Sequence, residues 1–182
     1  MNTSLSRVVL IVPIIMAAAT TSGADSKWSR VTPQGAGFSI EAPGEPQPNQ
    51  EPGNYSYMHE RWFLTVNVDS VEPVIGEMVA NGNRKAVKTS LEAMKDVMLA
   101  SMKATGERSS SGEVDGSPYL RVTFETPEFD CITQIVVTAE HMYVLAAVGP
   151  KGLPDDHAKR FLRSFRLTPV ATGRTAFSPA GQ

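Results

Sequence analysis

Residues 143–167, YVLAAVGPKGLPDDHAKRFLRSFRL, decide the fold of this chain. The run from Tyr143 to Val148 is apolar without interruption. A strand with one face in water alternates polar and apolar residues, whereas a strand buried on both faces shows a continuous apolar run. The segment therefore predicts a strand inside a sheet that is covered on both sides.

The second half of this segment predicts a turn and a short helix. Glycines and a proline at 149–152 break the strand, because glycine opens positive φ angles and proline removes a hydrogen-bond donor. Pro154 suits the first position of a helix, and Asp155 complements the positive end of the helix dipole. Phe161 and Phe165 lie four residues apart and share one face. The helix is therefore predicted to return two aromatic side chains to the core.

A longer helix is predicted over 80–105. Its apolar residues recur at the helical period, and Gly106 is predicted to end it. The residues of this face are Val87, Leu91, Met94, Met98 and Met102. A methionine-rich face can bind varied partners, but methionines at helical spacing are typical of a core.

Alternating residues and turn signals predict the strands. Asp115-Gly116 is a strong hairpin signal, because both residues accept the positive φ angles of a tight turn. The predicted strands are a short one at Trp28–Val31, one beginning at Phe38, two antiparallel ones within 55–71, a hairpin around 115–116, one in 131–139 and one in 142–148. With the two helices, these strands indicate an α+β domain.

Four aromatic residues lie close together in the strands predicted over 55–71. In the second strand, Leu64 and Val66 share one face, which leaves Phe63 on the wetter face. The cluster has two interpretations, namely cross-strand packing and an exposed contact surface for a partner. The candidate partner surface consists of Tyr55, Tyr57, Trp62 and Phe63.

The first 24 residues are predicted to be a cleavable signal peptide. Arg7 is followed by an apolar run over 8–19, and the small residues Ser22 and Ala24 fit a cleavage site. The run is shorter than the roughly 20 residues that span a bilayer, although an uncleaved anchor is an alternative. We therefore expect a periplasmic or secreted protein, cut near Ala24, without a stable membrane span.

The remaining chain is predicted to form one domain over 25–168, followed by a disordered tail over 169–182. The whole chain has 17 Lys and Arg against 19 Asp and Glu, and this slight acidity argues against a nucleic-acid partner. Cys131 is the single cysteine, so no intrachain disulfide can form. Its simplest interpretation is a small buried apolar residue, and a reactive thiol is the alternative.

The sequence predicts no catalytic, cofactor-binding or metal-binding residue. His59-Glu60 resembles the start of H-E-x-x-H, but Phe63 stands where the second histidine is required. His141 and His157 are distant in the sequence, so all three histidines are interpreted as surface residues. No nucleophile–base pair or cofactor loop is recognisable either.

Three carboxylates stand close together around the turn at Pro127. They are Glu125, Glu128 and Asp130. Because Ca²⁺ takes oxygen ligands, this turn is either a calcium site or a solvated acidic turn.

Three pieces of the sequence together resemble the PsbP-like and DcrB-like group of small exported bacterial proteins. They are Trp28 followed by FSIEAPGEP at 38–46, the long helix with Gly116 downstream, and YVL at 143–145 running to FLRSFRL at 161–167. The resemblance implies a curved antiparallel sheet of about six strands with both helices packed on it, a fold shared with Ran-binding Mog proteins. It implies export and binding of other proteins, and it transfers no functional residue.

These observations lead to one hypothesis and two alternatives. The hypothesis is an exported, non-enzymatic accessory domain without a cofactor that binds a protein partner in the periplasm or cell envelope. The first alternative is a module for a small ligand or Ca²⁺, bound at the turn 125–130 or beside the sheet. The second alternative is a hydrolase with an unfamiliar site.

Overall fold

The computed structural model describes residues 27–47 and 52–169. The predicted signal peptide, its cleavage near Ala24 and the predicted tail beyond Pro169 lie outside these residues. In chain order the elements are β1 (Trp28–Val31), β2 (Phe38–Pro43), β3 (Asn54–His59), β4 (Trp62–Ser70), α1 (Pro73–Ala80), α2 (Arg84–Ser101), β5 (Thr105–Val114), β6 (Ser117–Glu125), β7 (Phe129–Val137), β8 (His141–Pro150), α3 (Asp156–Ser164) and β9 (Arg166–Leu167).

The strands form two antiparallel sheets. The larger has six strands in the order β3-β4-β8-β7-β6-β5, and the smaller has three in the order β1-β2-β9. The predicted α+β class with a six-stranded antiparallel sheet is confirmed. The smaller sheet was not predicted, because β9 contains only two residues and pairs with the distant β2 through Phe38 and Leu167.

Strand β8 contributes to two separate cores, as its unbroken apolar run predicts. The first core lies between the larger sheet and the layer formed by β2 and α3, and the second lies on the opposite face under α1 and α2. Tyr143, Leu145 and Ala147 belong to the first core, whereas Met142, Val144 and Val148 belong to the second. Consecutive side chains of a strand point to opposite faces, so one strand holds both layers together.

The predicted apolar face of the long helix is confirmed in α2. Val87, Leu91 and Met98 are buried in the second core, and Met94 and Met102 pack partly buried against it. Each fully buried side chain of this size contributes about 1.5–3 kcal/mol to stability. The face is therefore core and is not a methionine-rich binding surface.

The predicted bounds of this helix are wrong. The chain turns at Gly82, which has φ 67°, so α1 ends before it and α2 begins after it. Asn83 caps α2 by accepting a hydrogen bond from the amide of Ala86 at 3.2 Å. At the other end, Lys103 adopts φ 51° and the Ala104 amide donates to the Leu99 carbonyl at 3.0 Å. Lys103 thus takes the position that glycine usually occupies at a helix end.

The two turn predictions have different outcomes. Asp115 and Gly116 adopt φ 50° and 80° between β5 and β6, which confirms the hairpin. Pro154 was predicted at the first helical position of α3, but it precedes the N-cap residue Asp155. Its carbonyl instead accepts a hydrogen bond from the Trp62 indole nitrogen at 3.1 Å, and this contact fixes the approach to the helix.

Candidate functional site

Two residues of the predicted partner surface are buried in the first core. Tyr57 is 0% exposed and Trp62 is 1% exposed. The Tyr57 ring packs edge-on against Phe161 of α3, with 5.9 Å between ring centroids. The prediction of an exposed surface is therefore corrected for these two residues, because they point to the face of the sheet that α3 covers.

The other two predicted surface residues are partly exposed, and their surroundings differ. Tyr55 packs against the first core through Phe38, with ring centroids 5.3 Å apart. Phe63 belongs to neither core. It pairs across the strands with Met58, which is 43% exposed, and it lies on the wetter face as predicted. We call these two side chains the Phe63–Met58 patch.

The carboxylates of the turn near Pro127 brace a neighbouring loop. Glu125 lies 3.3 Å from the ammonium group of Lys151, and Asp130 accepts a hydrogen bond from the amide of Gly152 at 2.9 Å. Glu128 is exposed. Because two of the three carboxylates hold the loop after β8, the contacts favour a structural role for this turn over a calcium site.

Cys131 is buried in the second core with 2% exposure. Burial is the main cause that raises the pKa of its thiol to about 11, and the nearby charge of Asp130 adds to it. Only the thiolate is an effective nucleophile, so this thiol is unreactive at neutral pH. The interpretation as a small buried apolar residue is confirmed.

A hollow of about 200 Å³ lies between α2 and the β5–β6 hairpin. Its lining includes Arg84 and Glu113, whose charged groups lie 3.3 Å apart. Arg84 also donates a hydrogen bond to the carbonyl of Gly116 at 2.9 Å. These polar groups tie the hairpin to the helix.

Two histidines that are distant in the sequence meet at one end of the molecule. His59 ends β3, Glu60 follows it in the hairpin turn, and His157 lies in the first turn of α3. The two imidazole rings are 4.3 Å apart at an angle of 78°. The nearest nitrogen of His157 lies 3.7 Å from a carboxylate oxygen of Glu60. We call these three residues the histidine cluster.

Trp28 of β1 holds both imidazoles of the histidine cluster. Its indole nitrogen donates to Nε2 of His59 at 3.4 Å, and its ring stacks on His157 with centroids 5.8 Å apart. The guanidinium of Arg160 lies 4.7 Å from the centre of the indole. Arg160 in turn donates to a carboxylate oxygen of Glu41 at 2.8 Å. Side chains from β1, β2, β3 and α3 thus fix the site.

The interpretation of the histidines as separate surface residues is corrected for His59 and His157. Their contact is created by the packing of α3 and β1 against the end of β3, which no short motif records. His141 lies apart from them at the start of β8, where its ring is 6.1 Å from that of Tyr143. Trp28 carried no signal of this role in the sequence.

No protein-family model matches the sequence. No curated protein matches it either. Within residues 27–47 and 52–169, no helix is both long and apolar enough to cross a bilayer.

The fold is similar to that of cyanobacterial PsbP (CyanoP) from Synechocystis sp. PCC 6803, known from a solution structure. The TM-score is 0.48 and the sequence identity 11%, over 83% of this chain and 99% of that chain. A second match is a crystal structure from Bacteroides thetaiotaomicron, with a TM-score of 0.40 and 11% sequence identity. The match covers 77% of this chain and 48% of that chain. These matches are likenesses of fold at low sequence identity, the level at which the resemblance to PsbP-like proteins was stated, and they transfer no residue role to this chain.

Proposed function

We propose that the protein is an exported, non-enzymatic accessory domain that binds a protein partner in the periplasm or cell envelope. One observation carries the proposal. Phe63 is an aromatic side chain that belongs to neither core, and its cross-strand neighbour Met58 is 43% exposed. The Phe63–Met58 patch is the contact surface of this proposal, and Phe63 is the residue that it keeps from the four aromatic residues predicted from the sequence.

The chemistry of the Phe63–Met58 patch suits a protein partner. Aromatic residues and methionine are enriched in the cores of protein–protein interfaces, and a few such side chains supply most of the binding energy. Methionine adds an adaptable thioether that adjusts to the partner's shape. Phe63 sits on β4 between β3 and β8, so its backbone is fixed by strands on both sides. A rigid backbone lowers the entropic cost of presenting the ring.

Site-specific photocrosslinking in cells tests this proposal. A photoreactive amino acid placed at position 63 is expected to capture one partner protein, because the ring lies at the centre of the contact. Position 97 is the matched control, since Val97 is an apolar residue of α2 that is 66% exposed. Equal capture at both positions, or capture at neither, contradicts the proposal.

A substitution separates binding from folding. Phe63→Ser is expected to weaken partner binding by about tenfold or more, the range of an aromatic hot spot. Val97→Ser is expected to leave binding unchanged. Both affinities are measured with the captured partner, and the far-ultraviolet circular dichroism of both variants verifies folding. A folded Phe63→Ser protein with unchanged affinity contradicts the assignment of the patch.

A further inference from the structure

We propose that His59, Glu60 and His157 bind a divalent transition-metal ion of the zinc type at the surface of the protein. This inference does not depend on partner binding, because it rests on side chains outside the Phe63–Met58 patch.

The donor set selects the class of metal. Two imidazole nitrogens and one carboxylate oxygen are a ligand set of Zn²⁺ sites in proteins. Calcium takes six to eight oxygen ligands, which this cluster does not supply. Imidazole also suits copper and nickel ions, so the class is the imidazole-binding divalent transition metals.

The ligand atoms of the histidine cluster lie near one another, but farther apart than the ligand atoms around a bound zinc ion. One ligand atom from each of the three residues lies within 4.8 Å of the other two. Tetrahedral zinc with bonds of about 2.0–2.1 Å places its ligand atoms roughly 3.3 Å apart. The pair formed by His157 and Glu60 is already at 3.7 Å. The side chain of Glu60 is 62% exposed, so it can rotate inward without disturbing the core.

The surrounding side chains orient the two imidazoles. The Trp28 indole packs edge-on against His59 and stacks on His157, with ring centroids 5.2 Å and 5.8 Å apart, so one indole sets the position of both rings. Partners outside the ligand shell that fix ligand orientation commonly raise metal affinity. The Trp28 indole nitrogen donates to Nε2 of His59 at 3.4 Å, so a metal ion bound at that nitrogen replaces this long hydrogen bond while the packing of the two rings remains. His157 is 37% exposed, so water can complete the coordination from the solvent side.

The rest of the chain offers few competing ligands of the same chemistry. The protein has three histidines and one cysteine in total. His141 lies at the start of β8 away from the cluster, and Cys131 is buried with its thiol protonated. His141 therefore serves as a matched control for the two histidines of the cluster.

The test is isothermal titration calorimetry of the purified protein with ZnSO₄ in chelator-free buffer. The unmodified protein is expected to bind one ion per chain. His59→Ala, His157→Ala and Glu60→Gln are each expected to weaken binding by about tenfold or more, because each removes one of three donors. His141→Ala is expected to bind as the unmodified protein does.

A second variant guards against a folding defect, because His157 also packs on Trp28. His157→Gln keeps a side chain of similar length. It is expected to lose as much zinc affinity as His157→Ala, whereas its melting temperature without metal is expected to equal that of the unmodified protein. Zinc is also expected to raise the melting temperature of the unmodified protein, since an ion that binds only the folded state stabilises it. Absence of zinc binding, unchanged affinity in the two His157 variants, or an equal loss in His141→Ala overturns the proposal.

Discussion

Gly149 shows how a single residue without a side chain shapes the first core. A Cβ atom at this position would lie 2.8 Å from Cε3 of Trp62, closer than real Cβ contacts. The indole of Trp62 therefore lies directly on the backbone of β8. No positive φ angle is involved at this position, so the requirement for glycine is steric.

We predict that Gly149→Ala lowers the free energy of unfolding by about 1–3 kcal/mol, the usual cost of overpacking a core. The measurement is urea denaturation. The same substitution in a Trp62→Phe background is expected to cost less, because phenylalanine lacks the part of the indole that meets the new methyl group. An equal cost in both backgrounds would show that the indole is not the cause.

At the scale of the element, α2 has an apolar face and a solvent face that can be tested separately. Leu91 is 3% exposed in the second core, whereas Val97 is 66% exposed on the same helix. Burying a carboxylate without a partner costs several kcal/mol, and placing one in water on a helix surface costs little.

We predict that Leu91→Asp abolishes cooperative folding and that Val97→Asp changes the free energy of unfolding by less than about 1 kcal/mol. Thermal unfolding followed by circular dichroism measures both. An unchanged melting temperature for Leu91→Asp would show that this face of α2 is exposed to solvent.

Elements defined by local patterns were predictable from the sequence. The apolar run of β8 and the turn at 115–116 specify their structures within a few residues, and both are observed. Helix α1 was not predicted although signals for it exist, with Pro73 at its start and Gly82 after its end. Gly106 was predicted to end the long helix, but it lies inside β5, where it has φ 66°.

The candidate sites were less predictable, because they depend on tertiary contacts. The wetter position of Phe63 followed from strand alternation, and the same alternation puts Trp62 on the buried face of Leu64, although the prediction did not use it. The burial of Tyr57 depends on where α3 packs. The histidine cluster needs β1, β3 and α3 to meet at one end, and their approach is set by the smaller sheet. No spacing in the sequence encodes that approach.

For the whole molecule, the central feature is one sheet covered on both faces. Trp62 reports on the first core and Cys131 on the second, and the strands β4, β8 and β7 that connect them are adjacent in the larger sheet. Alternate residues of β8 belong to opposite cores. Loss of either covering layer therefore exposes one face of β8, the strand that also supports the other layer. Phe63 and the histidine cluster remain at the surface when both faces of the larger sheet are covered. Both proposed sites therefore depend on the two covering layers being in place.

The most direct test compares the loss of the two cores during urea unfolding of a Trp28→Phe variant, in which Trp62 is the only tryptophan. Trp62 fluorescence follows the first core, and alkylation of Cys131, whose thiol pKa is raised to about 11 by burial, follows the second. The two transitions are expected to coincide at one urea concentration, as two-state unfolding requires. Alkylation of Cys131 at urea concentrations where Trp62 fluorescence is still native would contradict a single sheet closed on both faces.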